Sequence, residues 1–558
     1  MVGALLVTSG LFVAARVADH MRIALAGALG QRLDLALRQR VIRATCGPAG
    51  TAHLEDAGTL DRIARARGLV SSDWHVGATV PAMANVATQW LIGFGSMTVL
   101  ATFEWWLAAL LFAAWAGTSH LFRREFLRQT QALSLQVAGL RRADYYRNLV
   151  LQGGAAKEVR LWGMLEWLLA QLDTSWRRVM HEVWDERRAG VRVFVLTALC
   201  FGVVQYAGFA VTGLATLRGE IDLAALAVFI SAIHGLDLLS GLNGEALQLA
   251  YGTAAVPALL ELEREVAPGR VGTAAGAVQS GALRHGIQLE GVRFRYPGQD
   301  HDVLAGLDLF VPAGRSLAVV GENGAGKTTL VKLLGRLYEP TAGRLVVDGV
   351  DLREVDAAAW QRRVAAVFQD YVQYKLSARD NVMFGAVDWA RRLGSDEAEE
   401  AVRSAARRAG ALEFVEALPA GWDTVLSREF AGGAELSGGQ WQRLALARAL
   451  FAVEAGACVL ILDEPTANLD VRAEAALYGR FLDITRGLTT ILISHRFSTV
   501  RQADLICVLA HGRVAELGTH EALLAAGGSY AEMFTLQASR FTAGEEHPSG
   551  ELETASVF

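Results

Sequence analysis

Residue types suited to phosphate chemistry are concentrated in Gly321, Glu322, Asn323, Gly324, Ala325, Gly326, Lys327, Thr328 and Thr329, directly after the apolar run Leu317 to Val320. Gly321, Gly326, Lys327 and Thr328 have the spacing G-x-x-x-x-G-K-[ST] of a phosphate-binding loop. Its glycines let successive backbone N–H groups close around phosphate oxygens, and the helix that follows adds its positive N-terminal end. Lys327 would reach the β and γ phosphates, and Thr328 would hold Mg²⁺. A second apolar run, Val459 to Leu462, ends in Asp463 and Glu464, the form expected of a buried strand that delivers two carboxylates to its C-terminal edge. Asp463 would complete the Mg²⁺ site and Glu464 would polarise the attacking water, since phosphoryl transfer asks the protein mainly to position groups and neutralise charge. A solvated loop explains a lone Asp-Glu pair equally well, but the phosphate loop in the same domain favours chemistry. Gln369 follows the run Val364 to Phe368 and could bridge metal and water. His495 follows Thr490 to Ile493 and could touch the γ phosphate. Tyr296, in the alternation Val292, Phe294, Tyr296, could stack on an adenine ring or simply be a strand aromatic.

These residues need a frame that brings strand ends together. From Ile287 the chain alternates short β-rich runs with helical stretches; Leu317 to Val320, Leu345 to Val347, Val364 to Phe368, Val459 to Leu462, Thr490 to Ile493 and Leu505 to Leu509 read as strands. That alternation predicts an α/β domain over residues 287–541 with a mainly parallel sheet core. Pro268 to Gly286 is rich in small residues, lacks helical period and reads as a linker. Thr542 to Phe558 is acidic and aperiodic and reads as a disordered tail.

The part that precedes the linker, residues 1–267, has a different character. The whole chain is 52% apolar, high for a wholly soluble protein. Apolar segments at Val2 to Ala18, Val76 to Phe103, Trp105 to Phe122, Val193 to Leu217 and Leu223 to Leu242 approach the ~20 residues that cross a bilayer. For Val2 to Ala18 a signal peptide is the rival reading, disfavoured because no charged region precedes it. Arg16 to Arg67 holds nine arginines and Arg123 to Arg192 thirteen basic residues, whereas the turns at Glu104 and Arg218 to Asp222 hold one. The positive-inside rule makes the long segments cytoplasmic. Five spans then leave the N-terminus outside, an odd count that suggests one upstream span is missing. His234, Asp237, Gly241 and Glu245 have the spacing of one helix face at membrane depth, where ionisable groups suggest function; pairing of Asp237 with His234 is the plain alternative. Asn85 and Gln89 could line the same cavity or join helices. The scattered cysteines Cys46, Cys200, Cys458 and Cys507 imply neither a disulfide framework nor a metal site. A net charge of −5, without a basic aromatic stripe, argues against nucleic acid as a partner.

The most specific signal is Leu436 to Gln440, LSGGQ. Ser437, Gly438, Gly439 and Gln440 offer a second anion cradle ahead of a helix beginning near Gln440, with no catalytic group in it. Here the chain resembles an ATP-binding-cassette transporter of the exporter type: a multi-domain membrane protein with an all-α transmembrane domain followed by an α/β P-loop NTPase cassette. The resemblance implies that Tyr296 forms the adenine-stacking aromatic loop, Gly321 to Thr329 the Walker A loop, and Gln369 the Q-loop. It makes Ser437 to Gln440 the signature, Asp463 and Glu464 the Walker B pair with its catalytic base, Asn468 to Asp470 the D-loop and His495 the switch histidine. It implies ATP and Mg²⁺ as ligands, a cytoplasmic cassette on a multi-pass protein of the cell membrane, and a second half-transporter as partner. A homodimer is favoured and a heterodimer stays open, because two cassettes close head to tail and one chain carries one cassette. His53 to Arg67 and Gly153 to Gly163 resemble the intracellular loops that press on the cassettes. Trp441 departs from the basic residue frequent after the signature, and ANLD from the usual SALD; neither removes a catalytic group. Family exporters have six spans per half, and Met1 lies about where the second starts. The expected function is ATP-driven export of a hydrophobic or amphipathic cargo: a drug, a lipid or a peptide natural product. With no protease domain before the membrane part, leader-peptide processing is not expected. A membrane-anchored ATPase with a regulatory or assembly role is the alternative.

Overall fold

The computed structural model describes residues 2–67, 76–135, 137–240, 244–266, 281–464, 487–494 and 496–542. His495, the stretch Asn468 to Asp470, Gly241, most of the linker expected at Pro268 to Gly286, and the tail from residue 543 lie outside them. The chain forms two compact units, Met1–Pro48 with His53–Ala267, and Ala49–Ala52 with Pro268–Phe558.

The first unit is helical: α1 (Val2–Cys46), α2 (Ala57–Ala66), α3 (Thr79–Phe103), α4 (Trp105–Leu135), α5 (Val137–Leu151), α6 (Ala156–Leu161), α7 (Leu165–Leu217), α8 (Leu223–Asp237) and α9 (Gly244–Glu265). Val76–Phe103, Trp105–Phe122 and Gly190–Leu217 are each long and apolar enough to cross a membrane. At 53 residues α7 runs to roughly 80 Å, far beyond the ~30 Å of hydrocarbon in a bilayer. The tight joins between spans are built locally. Glu104 alone separates α3 from α4, and Asp222 caps α8 by accepting from the Ala225 N–H at 2.7 Å, satisfying one of the free donors of a helix start. Helix α3 packs closely on α8 and on the 3₁₀ turn Leu238–Ser240 that follows it because two glycines permit it. A Cβ on Gly235 would come within 2.1 Å of Ser96 Oγ, and one on Gly93 within 2.3 Å of Leu239 Cγ. Small residues at such contacts let membrane helices approach.

The apolar stretch Leu223 to Leu242 is not one helix. α8 ends at Asp237 and a 3₁₀ turn follows at Leu238–Ser240, where the Trp115 indole N–H donates to the Leu239 carbonyl and so satisfies a group the turn leaves outside the α-helical ladder. Glu245 consequently belongs to α9, and the single polar face expected from His234 through Glu245 does not form. Two polar sets form instead. Asp237 accepts from Gln205 Nε2 at 2.7 Å and lies 3.3 Å from His234 Nδ1. Glu245 accepts from Asn85 Nδ2 at 3.3 Å, and Arg22 donates to Asn85 from the other side, so Asn85 joins three helices.

The second unit carries ten described strands: β1 (Gly286–Phe294), β2 (Leu304–Pro312), β3 (Ser316–Val320), β4 (Ala342–Val347), β5 (Val350–Asp351), β6 (Val364–Val367), β7 (Val459–Asp463), β8 (Thr489–Ile493), β9 (Leu505–Ala510) and β10 (Arg513–Gly518). They form an antiparallel sheet of order β2-β1-β4-β5 and a six-stranded sheet of order β10-β9-β3-β8-β7-β6. Every pairing in the larger sheet is parallel except β9 with β10. Its central strands are apolar on consecutive residues because both faces are covered: Leu317 and Val319 join the core under the antiparallel sheet, while Ala318 and Val320 face Val500 and Tyr530. Leu345 to Val347, read as one more strand of the alternating series, belongs to β4 in the antiparallel sheet. A helical part packs around Trp422, Leu436, Trp441, Leu444 and Phe451. The segment Ala49–Ala52 is held in this unit by Thr51 N–H on Leu337 O at 2.9 Å and by Gln361 Nε2 on Ala49 O at 2.8 Å.

Candidate nucleotide-binding site

Parallel strands place their carboxyl ends along one sheet edge, and ligands of open α/β sheets bind there. Four adjacent strands point at that edge: β3 leads into the glycine loop, β7 ends in Asp463 with Glu464 next, β6 leads to Gln369, and β8 leads to Ser494. The loop needs its glycines for measurable reasons. Gly321 has φ 150° and a Cβ there would meet Leu509 O at 2.2 Å; Gly326 has φ 103° and a Cβ would meet Leu304 Cδ2 at 2.7 Å. After Gly326 the helix α10 (Lys327–Leu334) begins at once, which aims its free N–H groups back at the loop.

Lys327 is buried, and its ammonium donates to the carbonyls of Gly321 and Glu322, each at 2.8 Å. Burial pushes its pKa below the ordinary lysine value, while Glu464 and Asp463 pull it back up. Asp463 is 2% exposed. Burial raises its pKa, the Thr328 hydroxyl opposes this by hydrogen bonding, and neighbouring Glu464 adds to the rise. Its Oδ2 is buried with no hydrogen-bond partner. A buried carboxylate oxygen left without a donor, beside a hydroxyl and a lysine, has the chemistry of a ligand position for a hard divalent cation. Among the described residues no group of three or more His, Cys, Asp and Glu gathers as a metal cage, so phosphate oxygens and water would have to complete the coordination, as is usual for Mg²⁺.

Glu464 sits at φ 47°, a left-handed conformation uncommon outside glycine. Its N–H is held by Ile493 O at 3.0 Å and its Oε2 by Gln369 Nε2 at 3.0 Å. Two neighbouring elements thus fix the carboxylate in a conformation it would otherwise avoid, a form of strain that gathers at functional sites. Asn323, Lys327, Thr328, Gln369, Asp463 and Glu464 together line a cleft of about 380 Å³. Val303 and Ile493 also line it; neither is distinguishable from a core residue in the sequence.

Tyr296 and the LSGGQ residues do not line the cleft. Tyr296 is beside the loop, with its hydroxyl 3.1 Å from Thr329 Oγ1 and its ring edge-on to Phe294 and Tyr338. The Lys332 ammonium lies over the Tyr296 ring at 5.0 Å and the Tyr338 ring at 5.4 Å. Ser437 to Gln440 are not among the residues lining the cleft. Their helix begins at Gly438 rather than near Gln440 because Ser437 and Gln440 form a capping box: Ser437 Oγ accepts from Gln440 N–H at 3.3 Å and Gln440 Oε1 from Ser437 N–H at 2.8 Å. Trp441, the unusual residue after it, is a core residue at 3% exposure.

A family model described as ABC transporter matches residues 304–467. The chain is 32% identical over 461 residues to an ATP-dependent lipid A-core flippase of Chromobacterium violaceum, covering 80% of this chain and 74% of that protein. It is 42% identical over 269 residues to the cyclolysin secretion/processing ATP-binding protein CyaB of Bordetella pertussis, covering 48% of this chain and 36% of CyaB. It spans 57% of the corresponding flippase of Methylococcus capsulatus, at 37% identity. Among solved structures, a bacterial Atm1-family ABC exporter with ATP bound superposes with a TM-score of 0.71 at 24% identity, over 93% of this chain and 88% of that one.

Proposed function

This chain belongs to the ATP-binding-cassette exporters, as a membrane-embedded half-transporter whose helical and nucleotide-binding units are fused, and we propose that two such chains trap ATP between their cassettes to expel a hydrophobic or amphipathic cargo from the cell membrane. ATP hydrolysis coupled to transport is the activity of the family. The observation that carries the site assignment is the cleft in which Lys327, Thr328, Gln369, Asp463 and Glu464 converge.

In this reading Gly321 to Thr329 cradle the phosphates through backbone N–H groups, and Lys327 leaves its own loop carbonyls for the β and γ phosphates. Thr328, Gln369 and Asp463 would hold Mg²⁺, which would neutralise phosphate charge. Glu464 accepts a hydrogen bond from the attacking water and orients it, held in place by Gln369. His495 touches the γ phosphate, and Tyr296 stacks on adenine. Ser437, Gly438, Gly439 and Gln440 close on ATP held by the other chain, which accounts for a helix start of this composition outside the chain's own cleft. The cassettes face the cytoplasm, and the partner is a second copy of this chain.

A lipid or lipid-like amphipath is the favoured cargo. One relative is named as a flippase of lipid A-core and another for cyclolysin secretion, and the polar sets at Asp237 and Glu245 give the membrane unit groups able to meet a polar head. The test is reconstitution into liposomes. ATP-dependent movement of a labelled lipid or amphipathic drug, with ATPase stimulated by the same molecule, supports the reading. Unstimulated ATPase with no movement of any cargo would sink it.

A further inference from the structure

The loop after Gln369 reaches past the cleft. Gln369 contacts Glu464, as described above. Two residues on, Tyr371 is partly buried against the helical core to which Leu436, Trp441 and Leu444 belong, and its hydroxyl donates to the Gly438 carbonyl at 3.2 Å. The next carbonyl, Val372 O, accepts from the Arg448 guanidinium at 3.3 and 3.4 Å. Arg448 also donates to Asn381 O at 2.9 Å and Asn381 Oδ1 at 3.0 Å, and lies over the Tyr374 ring at 4.7 Å. Gly438 and Arg448 both belong to the helix Gly438–Glu454. One short segment is therefore fastened at Gln369 to the carboxylate of the chain's own cleft and at Tyr371 and Val372 to the helix that carries LSGGQ.

We propose that the Tyr371 hydroxyl is a positioning group that makes the two ATP sites of the dimer depend on each other. The proposal rests on the head-to-tail reading above, in which Gln369 serves the metal and Glu464 at the chain's own γ phosphate while Gly438 closes on the partner's nucleotide. Only Asp370 separates Gln369 from Tyr371. Movement of Gln369 when the γ phosphate leaves is passed through the Tyr371 hydroxyl to the first turn of the helix, and so to the nucleotide on the other chain. The Arg448 contacts fix the far end of the segment, so the movement is not lost in a slack loop. Coupling of this kind is reciprocal: the partner's nucleotide biases Gln369 through the same bond. A phenylalanine keeps the ring in its apolar seat and removes only the hydroxyl, which makes Tyr371→Phe the informative variant.

The experiment is steady-state ATPase of the full chain in lipid nanodiscs against MgATP concentration. Wild type is expected to rise sigmoidally. Tyr371→Phe is expected to lower the Hill coefficient to about 1, while half-saturation shifts by less than roughly threefold, since a lost neutral hydrogen bond is worth only a few-fold in an equilibrium constant. A merely structural tyrosine would lower melting temperature without changing the shape of the curve. The same Hill coefficient in variant and wild type overturns the proposal, whatever the melting temperature. Mixing inactive Lys327→Met and Ser437→Ala chains reads the dimer separately. Recovered activity together with a wild-type Hill coefficient of 1 means shared but independent sites and also overturns the proposal. Undiminished ATPase of the Ser437→Ala chain by itself sinks the head-to-tail reading beneath it.

Discussion

At the residue scale, the site is a set of groups held against their preferences. Lys327 is a buried cation, Asp463 a buried carboxylate with an unpartnered oxygen, and Glu464 a non-glycine residue in left-handed backbone. Each costs folding free energy, and each is understandable if a charged ligand meets them in turn. Glu464 gives the sharpest expectation. Glu464→Gln keeps the side chain's size and removes its charge, so ATP turnover is expected to fall by ~10²-fold or more while nucleotide binding persists; phosphate release and binding of a fluorescent ATP analogue measure the two. Near-normal turnover would show that the water-orienting group had been misplaced. The sequence disclosed these residues because phosphate loops are bound by backbone rules that leave glycines at fixed intervals. It did not disclose Val303 or Ile493, whose contribution is shape and whose chemistry matches any core position.

Elements bring their own tests. Asp348 sits in the turn between β4 and β5 and accepts from the N–H groups of Arg284, His285 and Gly286 at 2.8–3.2 Å, tying the start of β1 to that turn. Burial alone would raise its pKa, but these hydrogen bonds outweigh it and hold the group below its ordinary value of 3.8. The sign follows: the stabilisation is complete above that ordinary value and disappears as pH falls through the lower, folded-state pKa. Asp348→Ala is expected to destabilise the cassette by about 2 kcal/mol at pH 7, and part of the acid sensitivity of thermal melting should go with it. Trp441 is the second case. A basic residue looks equivalent at this position in sequence, yet here the indole fills the helical core, so Trp441→Arg would bury an unpaired charge and cost ~3 kcal/mol or more, seen as a lower melting temperature and reduced yield. Helix starts were legible less well than strand ends: the helix after LSGGQ begins at Gly438 because Ser437 and Gln440 cap one another, a reciprocal arrangement that becomes visible only when both side chains are placed.

At the scale of the whole molecule, a chain with one phosphate loop and one LSGGQ, the latter outside the loop's own cleft, fits the proposed reading in which two chains complete each site. The mixing experiment follows from symmetry. A dimer of one Lys327→Met chain and one Ser437→Ala chain carries both defects in one site and none in the other. Random mixing of the two inactive proteins is therefore expected to restore at most about a quarter of wild-type ATPase, and less to the extent that each site depends on the other. What the sequence determined by itself was local in kind: apolar length for the membrane helices, β-rich alternation for the cassette, and glycine and carboxylate spacing for the site. These signals are written in consecutive residues, because bilayer thickness, strand pleat and phosphate geometry each impose a fixed period. Only the tertiary structure decided that Leu345 to Val347 pairs in a separate antiparallel sheet, that α8 stops at Asp237, and that Ala49–Ala52 is held in the second unit. Each of these depends on a partner distant in the chain, Leu289 for β4, Trp115 for the Leu239 carbonyl and Leu337 for Thr51, and a pairing between distant residues leaves no period in either of them.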